Sequence, residues 1–178
     1  MPVLVVYASK HGATRGIAER IAAKLTEEGH PAESRSVQEA AGLEGYDAFV
    51  IGSAMYSFHW MDEAMEFVRH NGAVLARHPI WLFSSGPLGN ETKDAKGRDL
   101  RTATVPKDIS ELQEVLQPRG HRVLFGALDP ATLSFAERAL RRLPVARAAL
   151  PEGDFRDWAE IDVWASDIAR ELAQPPEI

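Results

Sequence analysis

A short turn rich in hydroxyl and basic side chains follows the first apolar run of the chain. Its members are Ser9, Lys10, His11, Gly12, Ala13 and Thr14. A helical pattern begins directly after the turn, so a phosphate bound there would meet unpaired backbone N–H groups and the positive end of a helix dipole. Gly12 lets the backbone curl around an anion, and the hydroxyls of Ser9 and Thr14 can donate to its oxygens. We predict a phosphate-binding loop; the alternative is that Ser9 and Thr14 only cap the helix.

Other nucleotide and metal motifs are missing from the sequence. The turn has neither the glycine-rich dinucleotide fingerprint nor the Gly-Lys-Ser/Thr ending of a P-loop. The predicted strands do not end in acidic residues, which argues against a phosphoacceptor domain. The six histidines have no ligand-like spacing and there is no cysteine, so we expect no metal site, disulfide or iron–sulfur cluster. Any redox centre must therefore be a bound cofactor.

Two later apolar runs end in segments suited to a planar ligand. In residues 52–60 the candidates are Ser53, Ala54, Met55, Tyr56 and Trp60. Residues 84–89 are Ser84, Ser85, Gly86, Pro87, Leu88 and Gly89. Their small side chains allow backbone amides to approach the edge of a ring. His59 could carry protons beside such a ring, or it could face solvent.

The elements that position these segments follow from the alternation of apolar runs and helical patterns, which is typical of a parallel sheet buried on both faces. The predicted strands are Val3–Ala8, Ala32–Ser36, 48–52, Ile80–Ser85 and 122–126. Helices are predicted over 13–28, from Asp62 and Glu63 onward, and from near Asp154 to Leu172. In such a sheet the ligand lies beyond the carboxyl ends of the strands, where the strand order reverses.

Together these segments resemble the flavodoxin superfamily, and within it the flavodoxin-type, quinone-linked protoporphyrinogen oxidases. The resemblance rests on Val-Tyr-Ala-Ser-Lys-His-Gly-Ala-Thr at 6–14, on Ile-Gly-Ser-Ala-Met-Tyr at 51–56 with Trp60 following, and on Phe-Ser-Ser-Gly at 83–86. Residues 125–129 and 133–143 look like the extra segment of the oxidase branch. The resemblance implies a three-layer α/β fold, with helices on both faces of a five-stranded parallel sheet in the order 2-1-3-4-5.

The resemblance also implies FMN as the cofactor. Residues 9–14 would bind its phosphate, residues 53–56 would pass one side of the flavin with Trp60 nearby, and residues 84–89 would line the other side. His11 stands where many flavodoxins have a hydroxyl residue. The 84–89 segment lacks the tyrosine that commonly covers the ring in electron carriers, so the exposed ring face could admit a flat substrate. Alternatively, Tyr56, Trp60 or a residue of a long loop covers it.

Two connections, 87–107 and 127–151, are longer than is usual in this architecture, and long loops in compact domains are often functional. Between residues 133 and 149, four arginines stand against one acid, Glu137: they are Arg138, Arg141, Arg142 and Arg147. Leu133, Ala136, Leu140 and Leu143 fall at helical spacing, and Pro144 should end that helix. Such a helix could receive a propionate-bearing tetrapyrrole, contact an anionic membrane surface or bind an acidic partner. The alternative is that it packs on the domain or in a homodimer.

Length and composition predict one domain over residues 1–174 and a tail at 175–178. The formal charge of −6 and pI of about 5.5 argue against nucleic acid as a partner. No basic leader precedes the first strand and no apolar stretch reaches membrane-spanning length, so we expect a cytoplasmic protein, with contact to the inner face of the membrane through 133–149 as an option.

The resemblance implies an FMN-dependent oxidoreductase that passes electrons from a porphyrinogen or other reduced small molecule through FMN to a quinone. No residue stands out as a catalytic acid or base. The alternatives are a flavodoxin electron carrier that docks protein partners and an NAD(P)H:quinone reductase. The moderate net charge and the basic segment weigh against a carrier, because carriers usually have a stronger negative charge.

Overall fold

The apolar runs of the sequence lie side by side in a parallel sheet. The structure is a computed structural model that describes residues 1–174. Its main strands are β1 (Val3–Ala8), β2 (Ala32–Ser36), β3 (Ala48–Tyr56), β4 (His59–Trp60), β5 (Ile80–Ser85) and β6 (Gly120–Leu124). The parallel strands follow the order β2-β1-β3-β5-β6, and β4 folds back antiparallel on the end of β3. This confirms the predicted order, because β5 and β6 are the fourth and fifth strands of the prediction.

Helices cover both faces of the sheet. They are α1 (Ala13–Glu27), α2 (Asp62–Leu75), α3 (Leu100–Ala103), α4 (Ile109–Leu116), α5 (Phe135–Leu140), α6 (Pro144–Ala149) and α7 (Trp158–Ala173). Successive residues of β1 alternate between two buried clusters: Val5 packs with α1 and α7, whereas Val6 packs with α2 and α4. Because both faces are covered, β1 is a continuous apolar run.

Three predicted boundaries were wrong. The third strand does not end at residue 52 but continues to Tyr56, because β4 supplies partners for its last residues. The last strand is Gly120–Leu124 rather than 122–126, because its pairing with β5 begins at Gly120 and ends at Leu124. The last helix begins at Trp158, where Asp157 accepts a hydrogen bond from the Glu160 amide, and not near residue 154.

The 127–151 connection is framed by a small hairpin of β7 (Ala127–Leu128) and β8 (Gly153–Asp154). Residues 129–150, which contain α5 and α6, lie between these two strands, and we call them the inserted segment. The prediction of one helix from Leu133 ended by Pro144 was wrong. Ser134 caps α5 through a capping box with Glu137. Pro144 instead begins α6, where its missing N–H is not needed.

Within residues 1–174, no helix is both long and apolar enough to cross a bilayer. The same residues contain no group of three or more histidine or acidic side chains placed to hold a metal ion. The predicted tail at 175–178 lies outside the described residues.

Candidate functional site

A cavity of about 360 Å³ lies at the carboxyl ends of β1, β3, β5 and β6, between the strand-end loops and the inserted segment. Its size is typical of a small-molecule or cofactor site. A wider but shallow groove beside α2 contains none of the predicted site residues. The strand-end cavity is therefore the candidate site.

The structure brings most of the predicted residues together around this cavity. Those that line it are Ser9, Lys10, His11, Ala13, Thr14, Ala54, Met55, Tyr56, Ser85, Gly86 and Leu88. Those that do not line it are Gly12, Ser53, Trp60, Ser84, Pro87 and Gly89. Residues from all three predicted loops meet at one site, and their individual roles toward a ligand stay predictions.

The turn at 9–14 has the backbone geometry of an anion-binding loop. Gly12 has φ +90°, a conformation that favours glycine, and it immediately precedes α1. The Gly12 amide donates to Ser9 Oγ at 3.0 Å, which tightens the turn. No side chain caps α1, and its first turn contains no acidic residue. The first amides of the helix therefore remain available to an anion.

Thr14 supplies the most specific sign of a ligand at this loop. The residue is 1% exposed, and its Oγ1 atom has no hydrogen-bond partner among residues 1–174. A buried hydroxyl without a partner is costly, because it has lost its water without replacement. Thr14 also lines the cavity. A phosphate oxygen would satisfy this hydroxyl, so the loop fits the phosphate of FMN.

The side chains of Lys10 and His11 hold the inserted segment. Lys10 Nζ lies 2.6 Å from Glu137 Oε1, and His11 Nε2 lies 3.3 Å from the same oxygen. His11 Nδ1 is 3.1 Å from the Thr132 carbonyl oxygen. The hydrogen bond from Lys10, followed by the Ser134 amide, lowers the pKa of Glu137 to about 2. Glu137 is thus ionised at neutral pH and fastens α5 over the loop.

Three predicted site residues form a buried cluster behind the cavity. The Trp60 indole N–H donates to Ser84 Oγ at 2.7 Å, and Ser84 Oγ lies 2.8 Å from His121 Nε2. Ser53 Oγ accepts from the Met61 amide and donates to the Ala54 carbonyl oxygen. The side chains of Ser53, Ser84 and Trp60 thus support the loops from within. These three side chains do not line the cavity, whereas their neighbours Ala54, Met55 and Ser85 do.

Tyr56 stands at the cavity edge, at the end of β3. The turn after it places Ser57 and Phe58 at φ 52° and 64°, and β4 then returns along β3. Two positive φ values are typical of a tight hairpin turn. Desolvation, with a smaller effect of the Glu137 carboxylate, raises the pKa of the Tyr56 hydroxyl to about 12, so it stays protonated at neutral pH. His59 lies outside the cavity, where its Nδ1 is 3.0 Å from Asp108 Oδ1.

Sequence reasoning missed one wall of the cavity. The additional lining residues are Ser57, Gly126, Ala127, Leu128, Leu133, Glu137, Leu140, Arg141 and Leu150. Most of them belong to the inserted segment or its flanks, and the amphipathic Arg-rich pattern was the only signal for them. The pattern predicts a functional segment but cannot say which of its side chains reach the site.

The fold and the cavity define a flavodoxin-like α/β protein with a candidate site at the carboxyl ends of its parallel strands. Residues 4–148 match the model of the family described as "Flavodoxin domain". The chain belongs to this family.

The chain is also similar to known proteins in sequence and in structure. The chain is 26% identical to the protoporphyrinogen IX dehydrogenase [quinone] of Escherichia coli K12, over 98% of each chain. It also resembles a flavodoxin from the domain Archaea, with a TM-score of 0.62 and 19% identity over 98% of this chain and 100% of the other. Oxidised flavodoxin 1 from Bacillus cereus gives a TM-score of 0.61 at 15% identity, over 97% of this chain and 100% of the other. The two structures support the fold.

Proposed function

We propose that the cavity binds FMN. Residues 9–14 would hold the phosphate through the first amides of α1 and the Thr14 hydroxyl, and residues 54–56 and 85–88 would flank the flavin. The unpartnered, buried Thr14 Oγ1 beside a ligand-sized cavity is the observation that carries this proposal. FMN binding is the norm for the flavodoxin domain family, which supports it. When bound, FMN supplies one- and two-electron redox chemistry.

We further propose that the protein is an oxidoreductase that removes hydrogen from a porphyrinogen and delivers it to a quinone. In each turnover two electrons and two protons leave the substrate, and both are recovered in the quinol. End-to-end similarity to a relative named as a quinone-linked protoporphyrinogen dehydrogenase supports this reading. Because the identity to this relative is 26%, the substrate and the electron acceptor are part of the proposal, and the experiment below tests them.

The inserted segment would give this chain its enzymatic site. Leu133, Leu140 and Leu150 add an apolar wall to a cavity that already contains Leu88 and Leu128. Apolar walls exclude water and favour a large, flat, apolar substrate. The neutral Tyr56 hydroxyl can donate a hydrogen bond at the edge of the same cavity without adding charge.

We also propose that the inserted segment contacts the membrane in which a quinone dissolves. Phe135 and Val145 are 85% and 83% exposed, and Leu143 is also exposed. Within residues 1–174, Arg147 forms no ion pair and lies close to these apolar groups in sequence. Exposed apolar side chains next to free basic groups suit an anionic lipid surface. The segment would then place the cavity near a lipid-soluble acceptor.

Anaerobic mixing tests the enzymatic proposal. The reconstituted protein is mixed with protoporphyrinogen, and the absorbance of the oxidised flavin near 450 nm is followed. We expect rapid bleaching by protoporphyrinogen alone, and recovery of the absorbance when a quinone is added. Bleaching only by a partner reductase would indicate an electron carrier instead. Bleaching by NADPH without a partner would indicate a nicotinamide-dependent quinone reductase.

A further inference from the structure

We propose that Arg141 recognises a carboxylate group of the substrate in the strand-end cavity. This inference rests on the proposed function, since it assigns a residue to the substrate of the same site. It concerns a side chain at the C-terminal end of α5, in the wall that the inserted segment adds to the cavity.

The first observation is the incomplete pairing of the Arg141 guanidinium. Its side chain is only 12% exposed, and it lines the cavity. Its Nε atom is buried and has no acceptor within residues 1–174. Its one ion pair there is a 3.3 Å contact from Nη2 to Glu152 Oε2, and the Glu152 side chain is 62% exposed. A group with five donors thus has one weak, solvent-exposed partner.

Other shielded arginines of the chain show what full pairing looks like. Arg101 forms two parallel hydrogen bonds to Glu160, at 3.0 and 2.9 Å. Arg156 forms two to Asp154, at 2.8 and 2.6 Å, and a third to the Ala13 carbonyl oxygen. A guanidinium cannot lose its proton, so it needs acceptors when it is removed from water. Arg141 is the exception among these three, and an anionic ligand would supply the missing acceptors.

The position of Arg141 favours a substrate carboxylate over the FMN phosphate. Glu137, one helical turn earlier in α5, contacts Lys10 and His11 of the phosphate loop. Arg141 lies about 6 Å further along the helix axis. Three other residues that the inserted segment contributes to the cavity lining are apolar, namely Leu133, Leu140 and Leu150. An apolar wall that ends in a guanidinium suits a flat, apolar molecule with a carboxylate side chain, because the fork of donors matches the two carboxylate oxygens.

Binding of a stable porphyrin tests this assignment without turnover. Protoporphyrin IX has two carboxylates, and its dimethyl ester keeps the ring and lacks the charge. Each is titrated into FMN-loaded wild type, Arg141→Gln, Arg141→Lys and the control Arg142→Gln, which removes the same charge from an exposed neighbour. We expect Arg141→Gln to weaken diacid binding about tenfold, as for a lost hydrogen bond to a charged group. Ester binding and FMN affinity should change less than twofold, and Arg141→Lys should be intermediate.

Several results would overturn the proposal. If Arg141→Gln lowers FMN affinity, the guanidinium serves the cofactor. If diacid and ester binding fall equally, or if Arg142→Gln has the same effect, carboxylate recognition by Arg141 is excluded. Circular dichroism and melting temperature establish that each variant is folded, and Arg141→Lys provides the test should the glutamine variant unfold.

A second probe separates this proposal from the proposed function. If the wild type binds neither porphyrin, the proposed substrate is wrong. Anthraquinone-2-carboxylate, which carries one carboxylate on a flat quinone, and its uncharged methyl ester then test Arg141 directly. A preference for the acid that is lost in Arg141→Gln sustains the role of the residue. No preference, or one that survives the substitution, overturns it.

Discussion

His121 is a half-buried histidine of β6 that lies next to Ser84. The Trp60 indole N–H donates to Ser84 Oγ, and the same oxygen lies 2.8 Å from His121 Nε2. Partial burial removes water from the imidazole and lowers the pKa of His121 to about 4, so this side chain is neutral at pH 7.

The titration of His121 predicts a loss of stability in mild acid. The unfolded chain protonates this side chain near pH 6.5, whereas the folded chain does so near pH 4. Between these values the unfolded state binds more protons, so the free energy of unfolding falls as the pH is lowered. The contribution is complete above pH 6.5, and its loss amounts to at most about 3 kcal/mol by pH 4. Urea unfolding from pH 7.5 to 4 measures it.

The variant His121→Gln isolates this effect. Glutamine keeps an amide group that can form a hydrogen bond with Ser84 but does not titrate, so the decline in the free energy of unfolding between pH 6.5 and 4 should become shallower. His70 lies on the exposed face of α2, and His70→Gln is the matched control. An unchanged slope in His121→Gln would show that His121 does not carry the acid sensitivity.

At the scale of elements, the sequence predicts the strands whose burial gives them a regular hydrophobic pattern. The bounds of β1, β2 and β5 are confirmed. The edge strand β6 begins with half-buried, largely polar residues, and its start is set by pairing with Trp81. Such pairing is not a local property, so the apolar run of residues 123–125 was misleading.

The site, too, could be predicted only where local sequence patterns determine it. The segment 84–89 was found because it follows a buried strand, yet Ser84 and Ser85 point to opposite sides of the sheet. Alternation says that they differ, but only the packing of Trp60 against Ser84 decides which serine lines the cavity. The wall from the inserted segment depends on the contact of Glu137 with Lys10, across more than a hundred residues of sequence. No periodicity reveals such a contact.

The exposed surface of the inserted segment predicts binding to lipid vesicles. Its exposed apolar side chains should bind vesicles with anionic lipids more tightly than neutral ones, since both apolar burial and charge contribute. Replacing Phe135 and Val145 by serine should lower the bound fraction several-fold. Sedimentation with phosphatidylglycerol and with phosphatidylcholine vesicles measures this.

The control for the vesicle experiment is Val163→Ser. Val163 is 59% exposed, but it lies on α7, outside the inserted segment. If this substitution lowers binding as much as the Phe135 and Val145 changes, the segment is not a specific contact. Absence of binding together with a dimer in gel filtration would assign the apolar surface to a second copy of the chain.

If the cavity binds FMN as proposed, its occupation stabilises the molecule as a whole. The folded state brings the loop at 9–14, the buried Thr14 hydroxyl and a wall of the inserted segment together around the cavity, whereas the unfolded chain does not. Anything that binds only the folded state stabilises it, by about 2.7 kcal/mol when the ligand is present at a hundred times its dissociation constant. For a chain of this length, that corresponds to a rise in melting temperature of roughly 5–10 °C.

Comparison of FMN with riboflavin divides this stabilisation between ring and phosphate. Riboflavin lacks the phosphate, so at equal concentration it should raise the melting temperature much less than FMN. In Thr14→Val the FMN shift should shrink while the riboflavin shift is retained, because the proposal assigns the hydroxyl a contact with the phosphate alone. The ligand-free variant should melt at or above the wild-type temperature, since valine replaces a buried hydroxyl that has no partner there. The control is Thr92→Val, because Thr92 is exposed and lies outside the cavity. If FMN and riboflavin raise the melting temperature of the wild type equally, the loop at 9–14 does not bind the phosphate.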